Sequence, residues 1–219
     1  MVSIFTDYSE LKLGNNNTPT LVIPGFGMSN ASTFVLRKIL MDKGHNVIPW
    51  TINRNLGFNP ENIDETFIQV VKLSESYGTK INIIGQSLGG CYARMIGNKI
   101  PDRVTSVITL GSPINGVDLV STNSISRYNK MTGIIDAAVL HHTEYLHEFK
   151  PNPPVFTTSI FSKNDEVVAW PLSIIDETEM SENVEVNSSH LSMGFNLRTI
   201  KILADRLSQN PEDWKPYNS

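Results

Sequence analysis

Short apolar runs of strand length recur along this chain, and most are followed by a stretch whose apolar residues repeat at helical spacing. Residues 20–24 (TLVIP), 46–50 (NVIPW), 81–84 (INII), 104–110 (VTSVITL) and 155–161 (VFTTSIF) are the runs, and 184–186 reads as a last short strand. Strands without polar alternation are buried on both faces, which is the habit of parallel sheets. Parallel neighbours need crossover connections, so helices must cover both sides. The pattern predicts an α/β chain: a mostly parallel central sheet of about six strands with helices on both faces.

Local signals mark the helices. Asn30 is a candidate N-cap for a first helix with Val35, Leu36, Ile39 and Leu40 on its inner stripe and Gly44 as its left-handed exit. Asn59 followed by Pro60 reads as cap and first helical residue, with Ile63, Phe67, Val70, Val71 and Tyr77 facing inward and Gly78 ending the helix. Residues 88–98 resume helical spacing before Pro101, and 197–207 form a closing helix.

Composition narrows the function classes. With 219 residues and 40% apolar content, the chain reads as one domain, 1–219, without a linker, repeat or low-complexity tract. A net charge of -4 without a basic run gives no footprint for nucleic acid or anionic lipid. Cys91 is the only cysteine, so an internal disulfide and cysteine-based structural zinc are both excluded. No signal-peptide pattern opens the sequence and no stretch reaches membrane-spanning length, so the expectation is a cytoplasmic protein with small-molecule partners and no integral membrane association.

Gly85-Gln86-Ser87-Leu88-Gly89 follows a strand directly and opens a helix, which is the context that gives G-x-S-x-G its meaning. Reversing a strand straight into a helix strains the central residue and crowds its neighbours, hence glycine at 85 and 89. Ser87 Oγ then stands at the tip, beside unpaired helix N-H groups and the positive dipole end. The bland reading is a glycine-rich turn or a phosphate-binding loop. No Walker-A lysine follows, and G-x-G-x-x-G spacing is absent.

A serine hydroxyl needs a base and a group that orients the base. Asp165 lies just after the strand at 155–161, and His190 lies beyond 184–186, so acid and histidine follow Ser87 in that order at the sheet's carboxyl edge. Adjacent Glu166 is an alternative acid. The turn "IPGFG" offers the backbone N-H of Phe26, beside that of Leu88, as an oxyanion hole. His45 precedes a strand at the opposite edge. His141, His142 and His147 lie upstream of the acid and read as a solvated helix end rather than a metal site, so neither metal nor organic cofactor is expected. Cys91 reads as a packed apolar residue. Residues 115–154 form a long insertion, in which Ile134, Ile135, Ala138 and Val139 suit a lid, a pocket wall or core.

With these residues in place, the chain resembles the α/β-hydrolase superfamily, and more narrowly small bacterial esterase- or lipase-like serine hydrolases. The blocks "LVIPGFGMSNAST", "WTINRNLG", "IIGQSLGGCYAR", "VITLGSP", "SKNDEVVAW", "ENVEVNSSH" and "ILADRLSQNPEDWKPY" carry the likeness over nearly the whole chain. The resemblance implies a catalytic triad of Ser87, Asp165 and His190, an oxyanion hole at Phe26 and Leu88, no large cap domain, and cleavage of carboxylic esters. Two departures stand out: Pro24 replaces the histidine many lipases carry before the oxyanion glycine, and 15–18 (NNNT) is polar where an earlier long strand would run. A thioesterase or acyltransferase with the same triad, and a binding protein that merely keeps the fold, are the rivals. Natural substrate, acyl length and oligomeric state are not written in the sequence.

Overall fold

The computed structural model describes residues 18–116 and 136–217, with 136–142 described as backbone only. Six parallel strands form one sheet in the order β2-β1-β3-β4-β5-β6. They are β1 Thr20–Ile23, β2 Val47–Pro49, β3 Ile81–Gln86, β4 Val104–Leu110, β5 Phe156–Phe161 and β6 Ser181–Glu185. The helices are α1 Phe34–Asp42, α2 Pro60–Tyr77, α3 Leu88–Lys99, α4 Asp136–Phe149 and α5 Leu197–Ser208. The fold class read from the sequence is therefore the one observed.

Side chains alternate across each strand and divide the core in two. Leu21, Ile23, Ile81 and Ile83 face α2, α3 and α4, packing with Val70, Tyr92 and Phe149. Val22, Ile84, Ile108 and Ile160 face the other way, against Leu36 and Leu40 of α1 and Ile200 and Leu203 of α5. Edge strand β2 has three residues and ends at Pro49, and an edge is where proline, which brings no N-H to a ladder, is tolerated. The chain runs outward through β2 on one side of β1 and through β3 on the other, so the strand order reverses between β1 and β3. Beyond the carboxyl ends of those two strands a crevice opens.

Local capping follows the sequence at α2: Asn59 Oδ1 accepts the Asn62 N-H at 2.8 Å, Pro60 is the first helical residue and Gly78 adopts φ 63°. Three details depart from it. Asn30 does not cap α1, which begins after Thr33; its side chain donates instead to the Trp50 carbonyl at 2.6 Å, a long-range bond no local signal announces. Val35 and Tyr77 are exposed rather than inward-facing, and polar Thr66 and Gln69 take buried places on α2. They do so because each has a partner: Trp50 Nε1 donates to Thr66 Oγ1 at 3.0 Å, and the Thr51 N-H to Gln69 Oε1 at 3.0 Å.

Of the insertion, 117–135 lies outside the described residues, so Ile134 and Ile135 carry no structural account here, nor do the side chains of Ala138 and Val139. Its far end is core: Phe149 is buried, and Arg94 of α3 closes the end of α4 by donating to the carbonyls of Phe149, Lys150 and Pro151 at 2.7–2.9 Å. Burial of that guanidinium lowers its pKa to about 10. No helix among the described residues is long and apolar enough to cross a membrane.

Candidate active site

β3 ends at Gln86 and α3 begins at Leu88, leaving Ser87 alone to turn the chain. Its φ of 53° and ψ of -124° make it the one non-glycine residue at positive φ among the described residues, in a region that costs of order 1–3 kcal/mol. The surroundings leave space for nothing larger. A β-carbon at Gly85 would penetrate the Gly89 backbone, and one at Gly89 would strike the carbonyl oxygens of Ile23 and Pro24. The end of β1 and the start of α3 therefore meet across glycine backbone. Leu88, as first residue of α3, contributes an N-H without an intrahelical acceptor.

The loop after β1 comes against the serine from the other side. A β-carbon on Gly25 would lie 3.1 Å from Ser87 Cβ, and Phe26 is the next residue of that loop. Phe26 itself is half-buried and packs on the core cluster around Tyr92.

Asp165 and His190 meet beyond β5 and β6. Asp165 Oδ2 lies 2.7 Å from His190 Nδ1, and both side chains are almost fully buried, at 1% and 3% exposure. The second carboxylate oxygen of Asp165 accepts the N-H groups of Val167 and Val168 at 2.9 and 2.8 Å. Gly111, at φ 54° just past β4, leaves room for the pair; a β-carbon there would come within 2.8 Å of Asp165 Oδ2 and 3.3 Å of His190 Nδ1. Ser87, His190, Gly25, Met28 and Leu191 line one small pocket at the carboxyl edge.

Glu166, the rival acid, does a different job. Its Oε2 accepts the backbone N-H of His190 at 3.1 Å, while its neighbour takes the imidazole. Further bonds hold the histidine loop. Ser162 Oγ donates to the Ser188 carbonyl at 2.7 Å and accepts the N-H groups of Ser188 and Asn164 at 3.1 Å. Ser192 Oγ pairs with the hydroxyls of Ser188 and Ser189 at 2.8 and 2.7 Å. Sequence reading passed over these serines. The run "NSSHLS" carries the signal, since clustered hydroxyls beside a key residue are ready loop ties.

The remaining candidates stay apart. His45 is buried at the amino end of β2, where desolvation pushes its pKa down. His147 on α4 is exposed, and among the described residues no group of His, Cys, Asp and Glu is arranged to hold a metal ion. Cys91 is buried in α3, and burial pushes its thiol pKa up.

No protein-family model matches the chain, and no curated protein sequence matches it. Solved structures do. A lipase-esterase related protein from Clostridium acetobutylicum superposes with TM-score 0.63 at 15% identity, over 90% of this chain and 97% of that one. The lipase BlEst2 of Bacillus licheniformis gives TM-score 0.68 at 13% identity, over 88% and 92%. The fold is that of the α/β hydrolases. A third neighbour with this α/β-hydrolase architecture, the 2-hydroxy-6-oxo-6-phenylhexa-2,4-dienoate hydrolase of a Rhodococcus species, gives TM-score 0.62 at 14% identity, over 87% and 90%. The shared architecture thus spans nearly the full length of both chains in each comparison, at identities where only architecture is shared.

Proposed function

We propose that the protein is a serine hydrolase that cleaves carboxylic esters through an acyl-enzyme on Ser87. The observation that carries the reading is the buried 2.7 Å contact between Asp165 and His190 Nδ1, with His190 and a strained Ser87 lining one pocket. The lipase and esterase architecture of the neighbours supports the reaction class.

With Nδ1 committed to Asp165, Nε2 of His190 is the base. It takes the Ser87 proton as Oγ attacks the ester carbonyl carbon, and the backbone N-H groups of Phe26 and Leu88 hold the resulting oxyanion. Collapse expels the alcohol, which carries off the proton from His190. Water then gives a proton to His190 and attacks the acyl-serine; the acid leaves and Ser87 recovers its hydrogen. Asp165 keeps the imidazole in one tautomer and stabilises its cation throughout. A lone buried cysteine suits a cytoplasmic setting.

A serine-directed fluorophosphonate should label the wild type at neutral pH and leave Ser87→Ala unlabelled. Turnover of p-nitrophenyl esters should fall about a millionfold in that variant, with the circular dichroism unchanged. Turnover that survives Ser87→Ala rules the mechanism out, and absent labelling of the wild type favours a binding protein.

A further inference from the structure

We propose that Asn55 is a positioning residue that sets the oxyanion loop. This rests on the assignment of Ser87 as nucleophile and of the Phe26 N-H as one oxyanion donor. Asn55 lies outside every strand and helix, 31 residues downstream of the loop it holds, yet it has no exposed surface. Its Nδ2 donates to the Pro24 carbonyl at 2.8 Å. Its backbone brackets the same loop, its carbonyl accepting the Gly27 N-H at 2.6 Å and its N-H donating to the Met28 carbonyl at 2.9 Å. Phe26 sits inside that bracket, between Pro24 and Gly27.

The opposite side of the loop is fixed by the nucleophile turn. The Pro24 carbonyl oxygen is so close to α3 that a β-carbon on Gly89 would come within 2.7 Å of it, and Gly25 abuts Ser87. Pro24 is buried, so its carbonyl oxygen needs a donor from the protein, and the Asn55 amide supplies one. The strap that carries Asn55 is itself tied to the nucleophile helix: Tyr92 Oη donates to the Gly57 carbonyl at 2.8 Å, and the Gly57 N-H donates to Asn55 Oδ1 at 3.2 Å. Loop, strap and helix form a closed circuit, and Asn55 is the link with bonds on both sides. A side chain here must donate to one carbonyl and accept from one N-H at short reach, which asparagine does and aspartate does not.

Pro24 gives the circuit its purpose. It lacks a backbone N-H and a side-chain donor, so the loop's position is held from its carbonyl and from the strap. An oxyanion donor works only when aimed at the place where charge develops, so a shift of the loop weakens the transition state more than the ground state.

The test compares wild type, Asn55→Asp and Asn55→Ser on p-nitrophenyl butyrate. A second probe is an alkyl trifluoromethyl ketone, to which Ser87 Oγ adds reversibly, its proton passing to His190 and the carbonyl becoming an oxyanion. Asn55→Asp should lower kcat about 100-fold with KM changed less than about threefold, and the ketone should lose affinity in parallel with kcat/KM. Asn55→Ser carries the same expectations should Asn55→Asp fail to fold. The inference is overturned by undiminished ketone affinity, by a change confined to KM, or by an activity loss that merely tracks the unfolded fraction in a thermal melt. A wild type without Ser87-dependent turnover instead breaks the nucleophile assignment, and the role given to Asn55 falls with it.

Discussion

The serine turn and the histidine loop stand on the same sheet edge but are held by different physics. At Ser87 the backbone is wedged: Gly85, Gly89 and Gly25 let main chain touch main chain, and no side-chain hydrogen bond caps the turn. At His190 the loop is tied by polar side chains drawn from 162, 165 and 166 on one segment and 188, 189 and 192 on the other. The first device is steric, stiff and vulnerable to a single methyl group. The second is distributed, so that losing one tie should loosen the loop without collapsing it. Under the proposed mechanism, a nucleophile held in a strained conformation is served by the former and an imidazole that exchanges protons over a reaction cycle by the latter.

Within this contrast the largest expected effect divides the adjacent carboxylates of the histidine side. Asp165→Asn should reduce kcat about ten-thousandfold, by analogy with other triads, whereas Glu166→Gln should cost only a few-fold. Steady-state kinetics on one ester separates them, and a reversed order would hand the acid role to Glu166. On the serine side, Gly89→Ala drives a β-carbon into the Ile23 and Pro24 carbonyls, which should lower stability by about 3 kcal/mol or more. In a chain of this size that is about 6–12 °C in Tm, readable by calorimetry.

Ser162→Ala is the matching cut in the distributed device. It removes bonds to the Ser188 backbone and the Asn164 N-H, and about 1–2 kcal/mol should be lost with a modest drop in kcat. A Tm loss equal to that of Gly89→Ala would erase the contrast between the two regions. The smallest effect lies away from the site. Burial holds the His45 imidazole below its ordinary pKa, so below about pH 6.5 the unfolded chain binds a proton that the folded one resists. Stability from this group is complete above that pH and declines as pH falls. His45→Gln should show a smaller loss of Tm between pH 7 and pH 5 than the wild type; equal losses would mean that His45 contributes nothing to the acid limb.

Residues 81–89 show how far reading the chain alone reaches. Apolar strand, glycine-flanked serine and helical spacing are all local, so turn, strand and helix could be placed from nine residues. The same holds for Asn59, Pro60 and Gly78 around α2, where each residue acts on its own backbone. Asn30 shows the opposite: its composition suits an N-cap, but its side chain goes to Trp50, because a buried carbonyl 20 residues away offers the better partner. Val35 and Tyr77 fit a helical stripe on paper and lie exposed, since helical period gives the width of a face and not which elements cover it.

What the sequence by itself determined is therefore the alternation of strands and helices, the serine turn and the chain order of Ser87, Asp165 and His190, because period, capping and glycine sterics operate within a few residues. Tertiary structure alone decided which of two neighbouring carboxylates faces the imidazole, which serines bind the histidine loop, and that Asn55 holds the loop after β1. Those outcomes depend on side chains from loops that follow separate strands arriving within hydrogen-bond distance, and only the packing of the sheet sets that distance.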